Sequence, residues 1–204
     1  AMIDKYGIQV CLNTEADAER IAREKPYKVI NAIGSSPVLP RAIPGLDQEY
    51  VITPPDVLSG KVKLTGKNVC VVGSGMTGIE TAELLQEQGN AIELYEMADD
   101  IGPGLFFQNL IDVMRRLAPG GCQFFPKHRL MSVEEHSAKF INMETNEEVT
   151  ATFDNVVISL GTRSNPLAEE IKASYPDIIS IGDAEKSGRI RHAIEGGYRA
   201  ALAL

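Results

Sequence analysis

Runs of apolar residues with two different periods mark the elements that the chain is predicted to form. The continuous apolar run at 69–72 is typical of a strand buried on both faces. Apolar positions at helical spacing follow it, and a second apolar run then ends at Glu96. A strand, a helix and a strand in this order favour an α/β fold with a parallel sheet.

Similar patterns predict elements on both sides of this unit. Apolar residues at helical spacing predict a helix at 105–117, which Gly120 and Gly121 end. Short runs separated by polar turns predict antiparallel strands at 123–125, 130–134, 139–143 and 149–153. Elsewhere we expect a helix at 14–25 and strands at 8–12, 27–33, 156–160 and 178–181.

A glycine pattern separates the first strand of the central unit from its helix. The spacing alone is weak, because short glycine patterns recur by chance, but here it has the right elements on both sides. Gly73 permits a tight turn, Gly75 lets a pyrophosphate approach the backbone, and Gly78 lets the helix pack closely on the sheet. The helix N-terminus offers N–H groups and a positive dipole end. The predicted dinucleotide site therefore comprises Gly73, Ser74, Gly75, Met76, Thr77 and Gly78.

An acidic residue ends the second strand of this unit. Glu96 lies 18 residues after Gly78, the position where a carboxylate accepts the adenosine-ribose hydroxyls of NAD. The alternative is an exposed acid at a strand end. Asp99 and Asp100 add negative charge nearby, and the sequence has no Lys or Arg between Glu96 and Arg115. These charges favour NAD(H) over NADP(H), which carries a 2′-phosphate.

Composition narrows the class of protein. A chain of 204 residues can hold one large or two small domains, and 44% hydrophobic residues are enough to bury a core. A net charge of −8 argues against nucleic acid and anionic membrane surfaces as partners. No apolar run approaches the roughly 18–20 residues of a membrane span, and no signal peptide opens the sequence. We therefore expect a cytoplasmic protein.

The cysteines and histidines indicate neither a metal site nor a redox disulfide. Cys11, Cys70 and Cys122 lie far apart, and no Cys-x-x-Cys pair occurs. The three histidines share no metal-like spacing, and no nucleophile, base and acid set is recognisable. We predict no catalytic residue in this chain, and a dithiol reductase of the thioredoxin reductase type is disfavoured.

Several motifs occur together in an order that a known family shares. They are Ile33-Gly34, Ile43-Pro44-Gly45, Asp56-Val57-Leu58, the glycine pattern at 73–78, Gly161, Ile181-Gly182-Asp183 and the closing segment from Gly188. Together they resemble the two-dinucleotide-domain flavoprotein reductases, over nearly the whole chain. More specifically, they are similar to the C-terminal half of the dienoyl-CoA reductase, NADH oxidase and trimethylamine dehydrogenase group. Asn31-Ala32-Ile33-Gly34 departs from the usual Ala-Thr-Gly at that strand end.

The resemblance implies a fold with two nucleotide-binding parts. A Rossmann-like NAD(H)-binding domain with an antiparallel β-meander would occupy 64–162. An incomplete FAD-type Rossmann lobe would come from 1–63 and 163–204. Proteins of the group also carry an FMN-binding barrel and an iron–sulfur cluster. In them, electrons pass from the nicotinamide to FAD, the cluster, FMN and finally an unsaturated substrate.

The implied function is therefore that of an NADH-binding electron-input module. Its partner would be the rest of its own polypeptide, including the FMN barrel, and the chain would not be active alone. FAD binding should be weak or absent, because no glycine turn precedes the first lobe's strand end at Gly34. A non-catalytic module that binds an adenine nucleotide for structural support is the alternative.

The resemblance also implies roles for residues outside the glycine pattern. Glu80 matches a glutamate near the nicotinamide, although it can equally be an acid that complements the helix dipole. Gly161 would border the bound nucleotide, or simply end a strand. Asp183, after Gly182, matches an aspartate that binds the FAD ribitol, and it can also be a turn or helix-capping residue.

Overall fold

The computed structural model describes residues 2–204. Its strands are β1 (Ile30–Asn31), β2 (Ser35–Pro37), β3 (Val51–Ile52), β4 (Asn68–Val72), β5 (Ala91–Tyr95), β6 (Gln123–Phe125), β7 (His128–Glu134), β8 (Ser137–Asn142), β9 (Glu148–Thr152), β10 (Asn155–Ile158), β11 (Thr162–Ser164) and β12 (Ile179–Ser180). Its helices are α1 (Met2–Lys5), α2 (Ala18–Glu24), α3 (Pro54–Leu58), α4 (Met76–Glu87), α5 (Phe107–Leu117), α6 (Glu169–Ser174) and α7 (Ile190–Leu202). In this described part, no helix is both long and apolar enough to cross a bilayer.

Contacts group the chain into two compact units. The central unit is Ser36–Arg163, and the flanking unit joins the chain up to Ser35 with Ser164–Leu204. The two cofactor domains expected at 64–162 and at 1–63 with 163–204 remain a prediction.

A parallel sheet forms the middle of the central unit. Its five strands lie in the order β3-β10-β4-β5-β6, and every neighbouring pair is parallel. Parallel neighbours need a crossover connection, and α4 supplies the one between β4 and β5. The predicted α/β class with a Rossmann-like sheet is confirmed.

Both faces of this sheet are covered, which explains the continuous apolar run in β4. Val69 and Val71 pack in a cluster with Ile79 and Leu85 of α4. Cys70 and Val72 belong to a second cluster, which includes residues of β7, β8 and β9. Since successive strand residues point to opposite faces, a strand between two apolar layers has no polar position.

The predicted β-meander forms from three strands instead of four. Strands β7, β8 and β9 pair antiparallel in sequence order. The run at 123–125, which we predicted to be antiparallel, is β6 and pairs in parallel with β5. It follows α5, so β5, α5 and β6 form a second strand–helix–strand unit. Its Phe125 ring stacks on Tyr95 with centroids 4.5 Å apart.

The flanking unit contains a two-stranded parallel sheet, in which Ile30 of β1 pairs with Ile179 of β12. The strand predicted at 8–12 is wrong, because these residues form no strand. Within residues 2–204 no strand pairs with them, and Ile8 N–H donates instead to Ile3 C=O at 3.1 Å. The helix predicted at 14–25 begins only at Ala18, where the Asp17 side chain caps it.

Candidate functional site

The glycine loop lies where β4 ends at the carboxyl edge of the parallel sheet. Gly73 has a φ of +97°, which side chains with a Cβ rarely adopt. A Cβ there would lie 2.3 Å from the carbonyl oxygen of Ser159. The Gly73 N–H donates to Tyr95 C=O at 2.8 Å, which joins the loop to the end of β5. This position therefore requires glycine for both conformation and space.

The other two glycines of the pattern have opposite surroundings. At Gly78 a Cβ would lie 2.0 Å from the carbonyl oxygen of Gly73, so the helix is packed closely on the loop. At Gly75 no atom lies within 4 Å of the position a Cβ would take. Gly75 is also the N-cap of α4, and no side chain caps this helix end. The first-turn N–H groups of α4 have no acceptor inside the helix, and the space beside Gly75 is open.

Glu96 is built into the underside of this loop. The backbone N–H and the hydroxyl of Ser74 both donate to Oε2 of Glu96, each at 2.7 Å. Oε1 of Glu96 accepts the N–H of Ala98 at 2.9 Å. The Ser74 Oγ in turn accepts the N–H of Gly102 at 2.9 Å. Glu96 is only 9% exposed, so it is not the solvated strand-end acid of the alternative interpretation.

One open cavity of about 230 Å³ joins the glycine loop to the end of β10. Gly75, Met76 and Thr77 line it from one side, and Gly161 lines it from another. The structure thus brings four of the predicted site residues together. The sequence did not indicate the remaining lining residues, which are Pro37, Pro54, Pro55, Ile158, Ser159 and Thr162. Ser159 could have been predicted, because it lies near the carboxyl end of the predicted strand at 156–160, and the carboxyl ends of neighbouring parallel strands meet at one edge of a sheet.

Glu80 lies apart from this cavity. It is exposed on α4 and lines a different hollow, between α4 and α5, together with Glu83, Asp112 and Arg116. It is the fifth residue of α4, and the first turn of that helix carries no acid. An interaction with the helix dipole is therefore weak there, because the effect falls off after the first turn.

Asp183 belongs to the flanking unit. Gly182, with a φ of +57°, opens the short 3₁₀ turn Gly182–Ala184 after β12. Oδ1 of Asp183 accepts the N–H of Gly188 at 3.0 Å. Oδ2 accepts the hydroxyl of Ser35 at 3.2 Å. Asp183 therefore has the turn-stabilising contacts that sequence reasoning considered for it.

Lys127 is a cation near Glu96 that the sequence reasoning missed. Its backbone N–H donates to Ala98 C=O at 2.9 Å, and its Nζ lies 3.0 Å from Oε1 of Glu144. The hydrogen bond to Glu144 raises the pKa of Lys127, and Asp99 and Asp100 raise it further. The strand β6 ends beside β5, which explains how a residue 31 positions after Glu96 reaches its loop.

The residues that line the cavity include no cysteine. Cys11 is exposed, whereas Cys70 and Cys122 are buried, and all three are free. Burial raises the pKa of the Cys70 thiol well above its ordinary value, and burial raises that of Cys122 to about 12. Buried, protonated thiols are inert. Among residues 2–204, no group of three or more His, Cys, Asp and Glu side chains has metal-binding geometry.

Comparison with known families adds to this geometry. Residues 3–176 match the family described as pyridine nucleotide-disulphide oxidoreductase. The chain belongs to this family. The predicted membership of the flavoprotein reductases with two dinucleotide domains is confirmed, and so is the oxidoreductase class.

Individual members of the family match almost the whole chain. The NADH oxidase of Thermoanaerobacter brockii is 31% identical over 98% of this chain and 31% of its own length. The cinnamate reductase of Clostridium sporogenes is 32% identical over 98% of this chain and 30% of its own length. A structure of 2-naphthoyl-CoA reductase with 2-naphthoyl-CoA superposes with a TM-score of 0.90 and 30% identity, covering 99% of this chain and 30% of that one. The chain therefore spans about a third of the length of these relatives.

Proposed function

We propose that this chain is the NADH-binding electron-input module of a multidomain flavin and iron–sulfur oxidoreductase that reduces an unsaturated, enoyl-type substrate. The observation that carries the proposal is the loop between β4 and α4. It combines an open backbone edge at Gly75 with a buried carboxylate at Glu96. An adenine dinucleotide needs both features, one for its phosphates and one for its ribose.

The residues of this loop fit NAD(H). The N–H groups at the start of α4 would bind the pyrophosphate, since the space beside Gly75 is open and no side chain caps the helix. The carboxylate of Glu96 would accept a hydrogen bond from the adenosine ribose. Gly161 would lie beside the nicotinamide end, in the cavity it shares with Thr77. A bound nicotinamide would supply the hydride, while this chain binds and orients the dinucleotide and keeps water from one side of it.

The flanking unit fits only part of a flavin site. Gly182 and Asp183 would contact FAD, yet both carboxylate oxygens of Asp183 already accept hydrogen bonds, from Gly188 and Ser35. The described residues of this unit provide two paired strands, β1 and β12, for the lobe. We therefore propose that FAD binds weakly to this chain.

The remaining cofactors and the substrate would belong to a longer polypeptide. The relatives, which are about three times as long, include a cinnamate reductase, and a 2-naphthoyl-CoA reductase has the same fold. Both names refer to unsaturated substrates. One side of α7 also carries exposed apolar residues at every fourth position, as a helix does when it packs on another element. They are Ile190, Ile194, Tyr198 and Leu202. We propose that the FMN-binding part of the polypeptide, with its iron–sulfur cluster, packs against this side of α7.

A comparison of NADH with ADP tests this proposal. If the chain delivers electrons, the nicotinamide half has its own contacts in the cavity beside Gly161, and NADH should bind more tightly than ADP. Isothermal titration of the same protein with both ligands measures the difference. Equal affinities would instead support the second candidate, a structural module that recognises the adenosine half alone. That candidate is favoured by the Glu96 network, which concerns only the ribose end.

A further inference from the structure

Ser74 is completely buried beneath the glycine loop, although it carries a hydroxyl. Its N–H and its Oγ–H donate to the same oxygen, Oε2 of Glu96, and its Oγ accepts the N–H of Gly102. With the bond from Ala98 N–H to Oε1, four hydrogen bonds join three segments of chain around one carboxylate. These segments are the glycine loop, the end of β5 and the loop that follows it.

This network fixes the carboxylate before any ligand arrives. Two carboxylate oxygens together offer about four acceptor sites. Ser74 occupies two of them and Ala98 a third. About one site is left for a ligand, and its direction is set by the other three bonds. An unrestrained glutamate would instead lose its rotamer freedom on binding, which weakens affinity.

We propose that Ser74 is a positioning residue that holds Glu96 in the one orientation in which its free acceptor site faces the 2′-hydroxyl of the adenosine ribose. The inference rests on the proposed binding of NAD(H) and makes it more specific. Glu96 then accepts a hydrogen bond from one ribose hydroxyl. It does not accept bonds from both hydroxyls, because only one acceptor site of the carboxylate is free. Ser74, which the sequence predicted only as one member of the dinucleotide-binding loop, becomes a determinant of ribose recognition.

The hydroxyl of Ser74 can be removed while its backbone N–H stays. In the Ser74→Ala variant, Oε2 of Glu96 keeps one of its two donors from this residue, and the N–H of Gly102 loses its acceptor. NADH affinity should fall about tenfold, as is typical when one bond of a coupled polar network is lost. The fall should be absent for an NADH analogue whose adenosine ribose lacks the 2′-hydroxyl, because that ligand makes no use of the orientation of Glu96.

A double-mutant cycle with Glu96→Gln separates positioning from simple support of the fold. If Ser74 acts through Glu96, the Ser74→Ala change should have little further effect on NADH affinity in the Glu96→Gln background. The matched control is Thr81→Val, which removes another fully buried hydroxyl of the central unit, bonded to Thr77 C=O and not to Glu96. It should leave the ratio of NADH affinity to analogue affinity unchanged.

For each variant, the thermal unfolding temperature should be measured, together with the affinities for NADH and for the 2′-deoxy analogue. Equal losses for NADH and for the deoxy analogue, or additive losses in the cycle, would overturn the role of Ser74. If Ser74→Ala does not fold, Ser74→Cys decides, since a thiol is a weak donor of similar shape. The Ser74→Cys variant should lose most of the wild-type preference for NADH over the 2′-deoxy analogue. A preference as large as that of the wild type would contradict the inference. A wild-type chain that binds neither dinucleotide would contradict the proposed function itself; normal NADH binding by Ser74→Ala would contradict only the positioning role.

Discussion

The substitution Gly75→Ala separates nucleotide binding from folding. Gly75 has φ −58° and ψ 173°, a conformation that alanine adopts without strain. Its Cβ would meet no atom within 4 Å. Alanine restricts the unfolded chain, which favours folding by about 0.4–1 kcal/mol. Against this, alanine is a poorer helix N-cap than glycine, at a cost on the order of 1 kcal/mol. The two terms nearly cancel.

We therefore expect Gly75→Ala to fold with a Tm within about 4 °C of the wild-type value. The added methyl group would occupy the open space through which the pyrophosphate approaches the backbone. NADH affinity should fall by at least about tenfold, which corresponds to roughly 1.4 kcal/mol. Differential scanning calorimetry and isothermal titration of the same sample measure both quantities.

Gly78→Ala is the matched control, since it places the same methyl group three residues further along. There the Cβ would lie 2.0 Å from Gly73 C=O and 3.0 Å from the Ser159 hydroxyl, so the backbone must shift. Overpacking of this kind costs about 1–3 kcal/mol, and both Tm and affinity should fall. Wild-type NADH affinity in Gly75→Ala would refute the reasoning, because the pyrophosphate would then bind elsewhere.

Two further predictions concern the thiols and acid stability. Cys11→Ser should leave NADH affinity and Tm unchanged, whereas Cys70→Ser should lower stability by about 1–3 kcal/mol by burying a hydroxyl without a designed partner. Loss of NADH affinity in a folded cysteine variant, measured by titration, would argue for a redox role. The hydrogen bond from the Thr53 hydroxyl, with a further one from Lys61, holds the pKa of Asp56 below its ordinary value. A depressed pKa stabilises the fold above about pH 4 and stops doing so as the pH falls through it. Urea unfolding should therefore find Asp56→Asn less stable than wild type at pH 7, with the difference narrowing as the pH falls below about 4; a difference independent of pH would contradict this.

The parts of the site that could be predicted from sequence are those encoded by local spacing. The run at 69–72, the pattern from Gly73 to Gly78 and the acid at Glu96 each report a feature of one strand–helix–strand unit. Their geometry follows from short-range rules on strands, turns and helix ends. The structure has β4, α4 and β5 at these positions.

The parts that could not be predicted depend on partners distant in sequence. The pattern at 8–12 suits a strand, but a strand forms only when another supplies its hydrogen bonds, and periodicity does not report that partner. The run at 123–125 is a strand, yet its direction follows from the crossover through α5. The position of Lys127 beside the loop of Glu96 follows from the same pairing of β5 with β6.

The buried environment of Glu96 was also beyond sequence reasoning. An acid at a strand end is exposed in most proteins, and nothing in the spacing indicated that Ser74 and Ala98 would donate to it. The N–H of Gly102, six residues after Glu96, donates to the Ser74 hydroxyl, and no local sequence rule predicts this contact.

Parallel titrations with NADH and NADPH test most directly the claim that Glu96 recognises the ribose of NAD(H). A 2′-phosphate would remove a hydroxyl donor and bring negative charge towards Glu96, with Asp99 and Asp100 nearby. The ammonium group of Lys127 already pairs with the carboxylate of Glu144, so we expect it to neutralise little of the added charge of the phosphate. We predict that NADH binds about ten- to hundredfold more tightly, a difference of roughly 1–3 kcal/mol. Equal or tighter binding of NADPH would contradict the account, because another part of the fold would then have to hold the phosphate.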